Sequence, residues 1–174
     1  MDAQPLSTGP LPTFPSLLDA AEKKKKQKSV TPILRSDALD TAAGAQLLFK
    51  CENLQRAGAF KFRGACNAVY ALDDAIAARG VATQSSGNHG AAIALACRLR
   101  GIPATVVVPE GAPKVKLDAI AGEGARIVRC APNMRARDAA VAQVIAETGA
   151  TLIHPFDHPD VIAGQGTAAM ELIA

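Results

Sequence analysis

From Ser29 onward, short runs of β-branched and apolar residues alternate with longer segments whose apolar residues recur at three- and four-residue spacing. The first pattern fits strands, and the second fits helices with one buried face. Gln46–Glu52, QLLFKCE, reads as a short strand. Arg63–Ala78 carries Ala65, Ala68, Val69, Leu72 and Ile76 at helical spacing, and Gly80 follows as a stop. A regular alternation comes next. GVATQS (Gly80–Ser85) predicts a strand, and Gly90–Arg100 predicts an Ala-rich helix ended by Gly101. ATVVVP (Ala104–Pro109) is a continuous apolar run, as in a strand buried on both faces. Pro113–Gly122 reads as a helix and ARIVRC (Ala125–Cys130) as a strand. Asn133–Thr148 reads as a helix with Ala140, Val141, Val144 and Ile145 on its apolar stripe. TLIHPF (Thr151–Phe156) reads as a strand, and Gly164 opens a last helix running to Ala174.

Strands separated by helices of this length predict right-handed βαβ units. The expected fold is therefore α/β: a three-layer open parallel sheet with helices on both faces. No internal repeat is visible. Residues 1–28 break the pattern, with Pro5, Pro10, Pro12 and Pro15 in the first half and the run KKKKQK (Lys23–Lys28) closing the second. They read as a disordered tail. The lysine run has two readings, a solvated arm or a patch for localisation or an anionic surface. At the other end, MELIA lacks the glycine, asparagine or basic last turn that usually stops a helix, so the domain is expected to continue.

Composition narrows the class. Of the 174 residues, 49% are hydrophobic and 20% charged, the balance of a soluble chain with a core. Much of the net charge of +3 comes from the lysine run, and the chain has no Trp and one Tyr. A nucleic-acid face is thus not expected. No stretch approaches the ~20 apolar residues of a membrane span. The N-terminus has no signal-peptide run, and Asp2, Asp19 and Glu22, with no Arg before Arg35, argue against a transit peptide. Cys51, Cys66, Cys97 and Cys130 are scattered, with no CxxC pair. They read as small buried hydrophobes in a reducing, cytoplasmic setting, and their spacing suggests no metal site.

Two stretches carry candidate chemistry. SSGNHG (Ser85–Gly90) lies between a strand and a helix, at the carboxyl end of a sheet strand, where open parallel sheets bind ligands. Helix N-termini gather anions there, and Ser85, Ser86, Asn88 and His89 add side-chain donors. The plainer reading is a turn that caps the helix, but six small or polar residues exceed what a cap needs. The second stretch is GAFKFRGA (Gly58–Ala65), which sets Lys61 between Phe60 and Phe62, with Arg63 beyond. A free lysine is almost fully protonated at neutral pH; apolar surroundings and a nearby cation both disfavour that charge. Phe60, Phe62 and Arg63 could supply both, which suits a Schiff-base lysine. The alternative is a lysine whose stem lies along apolar surface with its head in water.

Together, ENLQRAGAFKFRGA and SSGNHGAAIALA resemble the fold-type II pyridoxal-phosphate enzymes, and most of all the threonine/serine dehydratase and serine racemase family. TPILRS, GIPATVVVPEGAPKVKLDAI, GARIVRC and VIAGQGT agree, so the resemblance covers about Val30 to the end. It implies a large cofactor-binding domain begun by residues 29–79, a small α/β domain over 80–157, and a return to the large domain over 158–174. It implies pyridoxal 5′-phosphate on Lys61, Phe60 against the cofactor ring, and Asn88 hydrogen-bonded to the cofactor's 3′-oxygen. Ser85, Ser86, Gly87, Asn88 and His89 would surround the substrate carboxylate. Arg137 falls where racemase-like members have a substrate-side arginine; its other reading is a solvated helix residue. The implied reaction is an L-threonine or L-serine ammonia-lyase, with Lys61 taking the Cα proton. Ser86 matches the second proton donor of the racemases, where many dehydratases carry Ala, so serine racemase stays open. So does a third reading, an inactive fragment that only binds. Ala59 replaces the family's frequent Ser, a small departure. The family's glycine-rich phosphate loop is missing among the fourteen glycines, so the chain on its own is expected to hold the cofactor weakly. Full-length members also imply Mg2+, ATP and a homodimer.

Overall fold

A computed structural model describes residues 12–23 and 27–174. Four strands form a parallel sheet in the order β5-β4-β3-β6: β3 (Val81–Gln84), β4 (Ala104–Pro109), β5 (Arg126–Cys130) and β6 (Thr151–Leu152). The crossovers are α5 (Asn88–Arg100), α6 (Lys114–Ala121) and α7 (Met134–Thr148). The all-apolar run of β4 is explained by its two buried faces. Val106 and Val108 meet Ala94 of α5 and Ile120 of α6, whereas Val107 meets the side of Val141 and Val144 of α7. All three valines are 0% exposed. Burial of each contributes about 1.5–3 kcal/mol. The three-layer α/β expectation therefore holds.

Helix α5 is buried on both sides, which is why its small residues go all round it. Its outer side packs under α3 (Lys61–Ala71), and Phe62, Val69, Ile93, Val81 and Val161 share one core. Helix α8 (Pro159–Ile173) crosses α3 at Gly64 and Gly164. A Cβ on Gly164 would stand 2.5 Å from the Arg63 carbonyl oxygen and 2.8 Å from Gly64 Cα. Only glycine allows that approach, so the AGQGT glycines serve helix packing.

Several boundaries differ from the sequence expectation. Residues 14–23 form α1 (Phe14–Lys23) rather than a disordered tail; Ala20 is 2% exposed and Leu17 packs on Gly166 of α8. Pro15 sits in the first turn, where its missing N–H costs little. The rest of the expected tail, residues 1–11 and 24–26, lies outside the described residues. The QLLFKCE strand shrinks to β2 (Phe49–Lys50), paired antiparallel with β1 (Ile33–Leu34), and a short α2 (Asp37–Ala43) lies between them. The helix expected over Arg63–Ala78 breaks at Leu72 and resumes as α4 (Asp74–Ala77). The cause is Arg100, whose guanidinium donates to the carbonyls of Val69 and Leu72 and to Asp74. Pairing ends at Leu152, so His154–Phe156 is a loop rather than strand. Helix α8 starts at Pro159, five residues before Gly164, with His158 as its N-cap. Among the described residues no helix is long and apolar enough to cross a membrane.

Candidate active site

Lys61 opens α3 after Phe60, whose helical backbone provides no side-chain cap. Its Nζ donates to the Pro155 carbonyl at 2.9 Å and lies 5.3 Å from the centroid of the 41%-exposed Phe60 ring. Burial holds the amine below its ordinary proton affinity. Desolvation disfavours the ammonium, and the positive end of α3 acts in the same direction.

Arg63 does not supply the neighbouring cation that its position in the sequence suggested. Its side chain turns the other way and is fully buried between two carboxylates. It donates to Glu52 at 2.7 and 2.8 Å and to Glu171 at 2.7 and 2.8 Å. Thr167 Oγ1 adds a bond at 3.2 Å, and Lys50 pairs with Glu171 at 2.7 Å. Burial alone would lower the Arg63 pKa, but the two carboxylates raise it above its ordinary value. This cage ties α3 to α8 and to the 3-10 turn at Glu52–Leu54.

The Ser85–Gly90 loop continues β3 and enters α5. Ser85 N–H donates to the Val107 carbonyl at 3.1 Å, and Ser85 Oγ accepts from Gly87 N–H at 3.2 Å. Gly90 is required because a Cβ there would stand 2.7 Å from the Ser85 carbonyl oxygen. Asn88 is exposed, and Ser86 and Gly87 are half-buried. Neither Ser86 nor Asn88 has a side-chain hydrogen bond within the described residues. The first-turn N–H groups of α5 are left for an anion.

His89 departs from its expected place facing a substrate carboxylate. Its ring is 3% exposed and turns inward, with Nε2 3.5 Å from the Ile153 carbonyl oxygen and Nδ1 buried without a partner. Burial pushes its pKa down to about 4 despite that hydrogen bond, and Lys61, His154 and His158 lower it further. The histidine thus stays neutral and braces α5 against the end of β6. Arg137, on α7, flanks Cys130; its Nε is buried without a partner, and no hydrogen bond ties it to Lys61 or to the loop.

The residues that sequence reasoning missed lie between β6 and α8. His154 Nδ1 accepts main-chain N–H groups from Phe156 and Asp157, and His158 Nδ1 accepts from Asp160. The signal was there in two His-Pro steps, His154-Pro155 and His158-Pro159. On the α7 side of this loop is a cavity of about 500 Å³ lined by Gln84, Asp138, Ile145, Leu152, His154 and Phe156. Gln84 Nε2 donates to Asp138 at 3.1 Å, and its Oε1 is buried without a partner.

This geometry sets a half-buried lysine, close enough to His89 to act on it electrostatically, near an anion-ready helix start at the carboxyl end of a parallel sheet. The family model described as pyridoxal-phosphate dependent enzyme matches residues 25–174. The chain belongs to that family. β-Hydroxyaspartate dehydratase of Paracoccus denitrificans (strain Pd 1222) is 52% identical over 163 residues, 94% of this chain and 52% of the relative. Serine racemase of Arabidopsis thaliana is 48% identical over 158 residues, covering 91% and 48% of the two chains. Among solved structures, maize serine racemase superposes with a TM-score of 0.91 at 42% identity, over 93% of this chain and 49% of that one. A threonine deaminase from T.th. gives 0.86 at 40% identity, over 93% and 51%. The chain spans about half the length of the curated relatives it matches. Within a pyridoxal-phosphate dependent enzyme, the half-buried Lys61 amine has the chemistry to receive the cofactor aldehyde, and the half-exposed Phe60 ring offers a flat apolar neighbour beside it.

Proposed function

We propose that this chain carries the lysine and the substrate loop of an ammonia-lyase for β-hydroxy amino acids, with L-threonine and L-serine as the substrates. The observation that carries the proposal is the Lys61 amine, held at one carbonyl with its proton affinity lowered by burial. The names of the similar proteins support the substrate class, since hydroxyaspartate, serine and threonine all bear a hydroxyl on Cβ.

Pyridoxal phosphate, when bound, supplies a ring that takes up the electron pair left at Cα. The chain's residues divide the remaining work. Lys61 and Phe60 would hold the aldehyde end and the ring, and Asn88, exposed and without a side-chain hydrogen bond within the described residues, would be free to bond the cofactor. Lys61, its proton affinity lowered by burial, would take the Cα proton as general base. The first-turn N–H groups of α5, with Ser85, Ser86 and Asn88, hold the substrate carboxylate. His89 acts from behind, keeping α5 against β6. Losing the Cα proton and the Cβ hydroxyl yields, after hydrolysis, a 2-oxo acid and ammonia. We infer that the phosphate is held outside the described residues, whose turns offer no run of glycines beside Lys61.

Ser86 favours a second reading, serine racemase: the residue is half-buried and its hydroxyl has no hydrogen bond within the described residues, so it would be free to return a proton to Cα. Incubation with pyridoxal phosphate and L-serine, L-threonine or β-hydroxyaspartate, followed by 2-oxo acid and chiral amino-acid assays, separates the readings. The lyase reading expects 2-oxo acid release that Lys61→Ala abolishes. Ser86→Ala should remove inversion and spare elimination. Inversion without 2-oxo acid would favour the racemase. If neither product nor any Lys61-dependent adduct appears, the binding-only reading takes the place of both.

A further inference from the structure

The acceptor that holds Lys61 is a main-chain carbonyl, so something must fix the direction of that carbonyl. The Pro155 oxygen stands 2.9 Å from Lys61 Nζ. Pro155 lies in a turn whose sheet pairing ended at Leu152. On one side, Ile153 is anchored by its N–H to Ala82 and by its carbonyl, which accepts from Thr83 Oγ1 at 2.8 Å. On the other side the main chain is gathered by one ring. His154 Nδ1 accepts Asp157 N–H at 2.9 Å and Phe156 N–H at 3.4 Å. The Phe156 ring meets the imidazole edge-on at 4.5 Å between centroids. An imidazole that accepts at Nδ1 must be neutral, with its proton on Nε2.

We propose that His154 is a positioning residue for Lys61: its Nδ1 closes the 154–157 turn and thereby aims the Pro155 carbonyl at the lysine amine. This rests on the reading of Lys61 as the reactive amine. The charged and titratable groups around His154 are Asp157 in its own turn, Asp138 from α7, His158 at the head of α8, Lys61 from α3 and His89 from α5. Releasing the turn removes an acceptor that favours the ammonium but also opens the amine to water, and because burial is what lowers its proton affinity, the amine regains it.

The test reads Lys61 directly, in cofactor-free protein, by peptide mass spectrometry after brief acetylation across a pH series. Asparagine puts its Oδ1 where the imidazole has Nδ1; glutamine puts its amide where the imidazole has Nε2. His154→Asn should label as the wild type does. His154→Gln should label Lys61 about threefold less at neutral pH. Equal labelling curves for the two variants overturn the proposal, whether shifted or not. A second measurement needs no variant: nitrogen-15 NMR of the wild type should find the His154 proton on Nε2, and finding it on Nδ1 overturns the proposal as well. Failure here leaves Lys61 in its role, because Lys61→Ala is judged separately by loss of the cofactor adduct.

Discussion

At the residue scale, the inward turn of His89 sets a pH limit on the fold. Its folded pKa lies near 4, below the ordinary histidine value of 6.5. The unfolded chain therefore binds the proton first, and stability is complete above about pH 6.5 and drains away as the pH falls toward about 4. The loss amounts to roughly 3 kcal/mol at most. Urea unfolding midpoints across that range should fall, and His89→Gln, which keeps a donor for the Ile153 carbonyl, should flatten the fall. Lys61 and the Ser85–Gly90 loop were legible in the sequence because their residue types are unusual for a bland helix or turn. The direction of Arg63 was not. Lys61 and Arg63 are two residues apart on α3, a spacing that turns them to opposite sides, yet no local pattern shows that Glu52 and Glu171 wait on one side and a carbonyl on the other.

At the element scale, the contact of α3 with α8 carries two expectations. Gly164→Ala forces a methyl against the Arg63 carbonyl oxygen at 2.5 Å. The two helices must part, and overpacking of this kind costs about 1–3 kcal/mol. Thermal melting should show the loss, whereas alanine at Gly101, whose Cβ position is open space, should cost only the strain of its positive φ. Removing the Arg63 guanidinium leaves Glu52 and Glu171 facing each other, and Arg63→Met should destabilise by about 3–5 kcal/mol. Burial raises the pKa of both carboxyls, but Arg63 hydrogen bonds pull them below their ordinary value. Their stabilisation is therefore complete above about pH 4.5 and is lost as the pH falls below it, a second and more acidic window than that of His89. The expected order of strands and crossover helices from Val81 to Thr148 is what the fold shows, because β-branched runs and longer Ala-rich segments alternate there and Gly101 and Gly149 stop the helices α5 and α7. The ends of α3 and α8 were not legible: one is cut by Arg100 from another helix, and the other is set by His158 and Pro159, residues with no apolar period.

At the scale of the whole molecule, apolar side chains remain open around the N-terminal hairpin: Leu34 and Leu48 are each 54% exposed, Leu54 is 59% and Phe49 is 40%. An exposed strip of this kind favours association. Sedimentation of the 174-residue chain should show concentration-dependent self-association, and the double variant Leu34→Ser, Phe49→Ser should reduce it while leaving the melting temperature nearly unchanged. The chain has no tryptophan, and its one tyrosine is Tyr70, on the same helix as Lys61. Nine helical steps separate them, about 14 Å along the axis. The intrinsic ultraviolet emission of this protein therefore comes mainly from a single lamp, fixed at one end of the helix whose other end bears the Lys61 amine. Any near-ultraviolet chromophore captured by Lys61 lies well within energy-transfer range of it, so fluorescence quenching alone would count occupied sites.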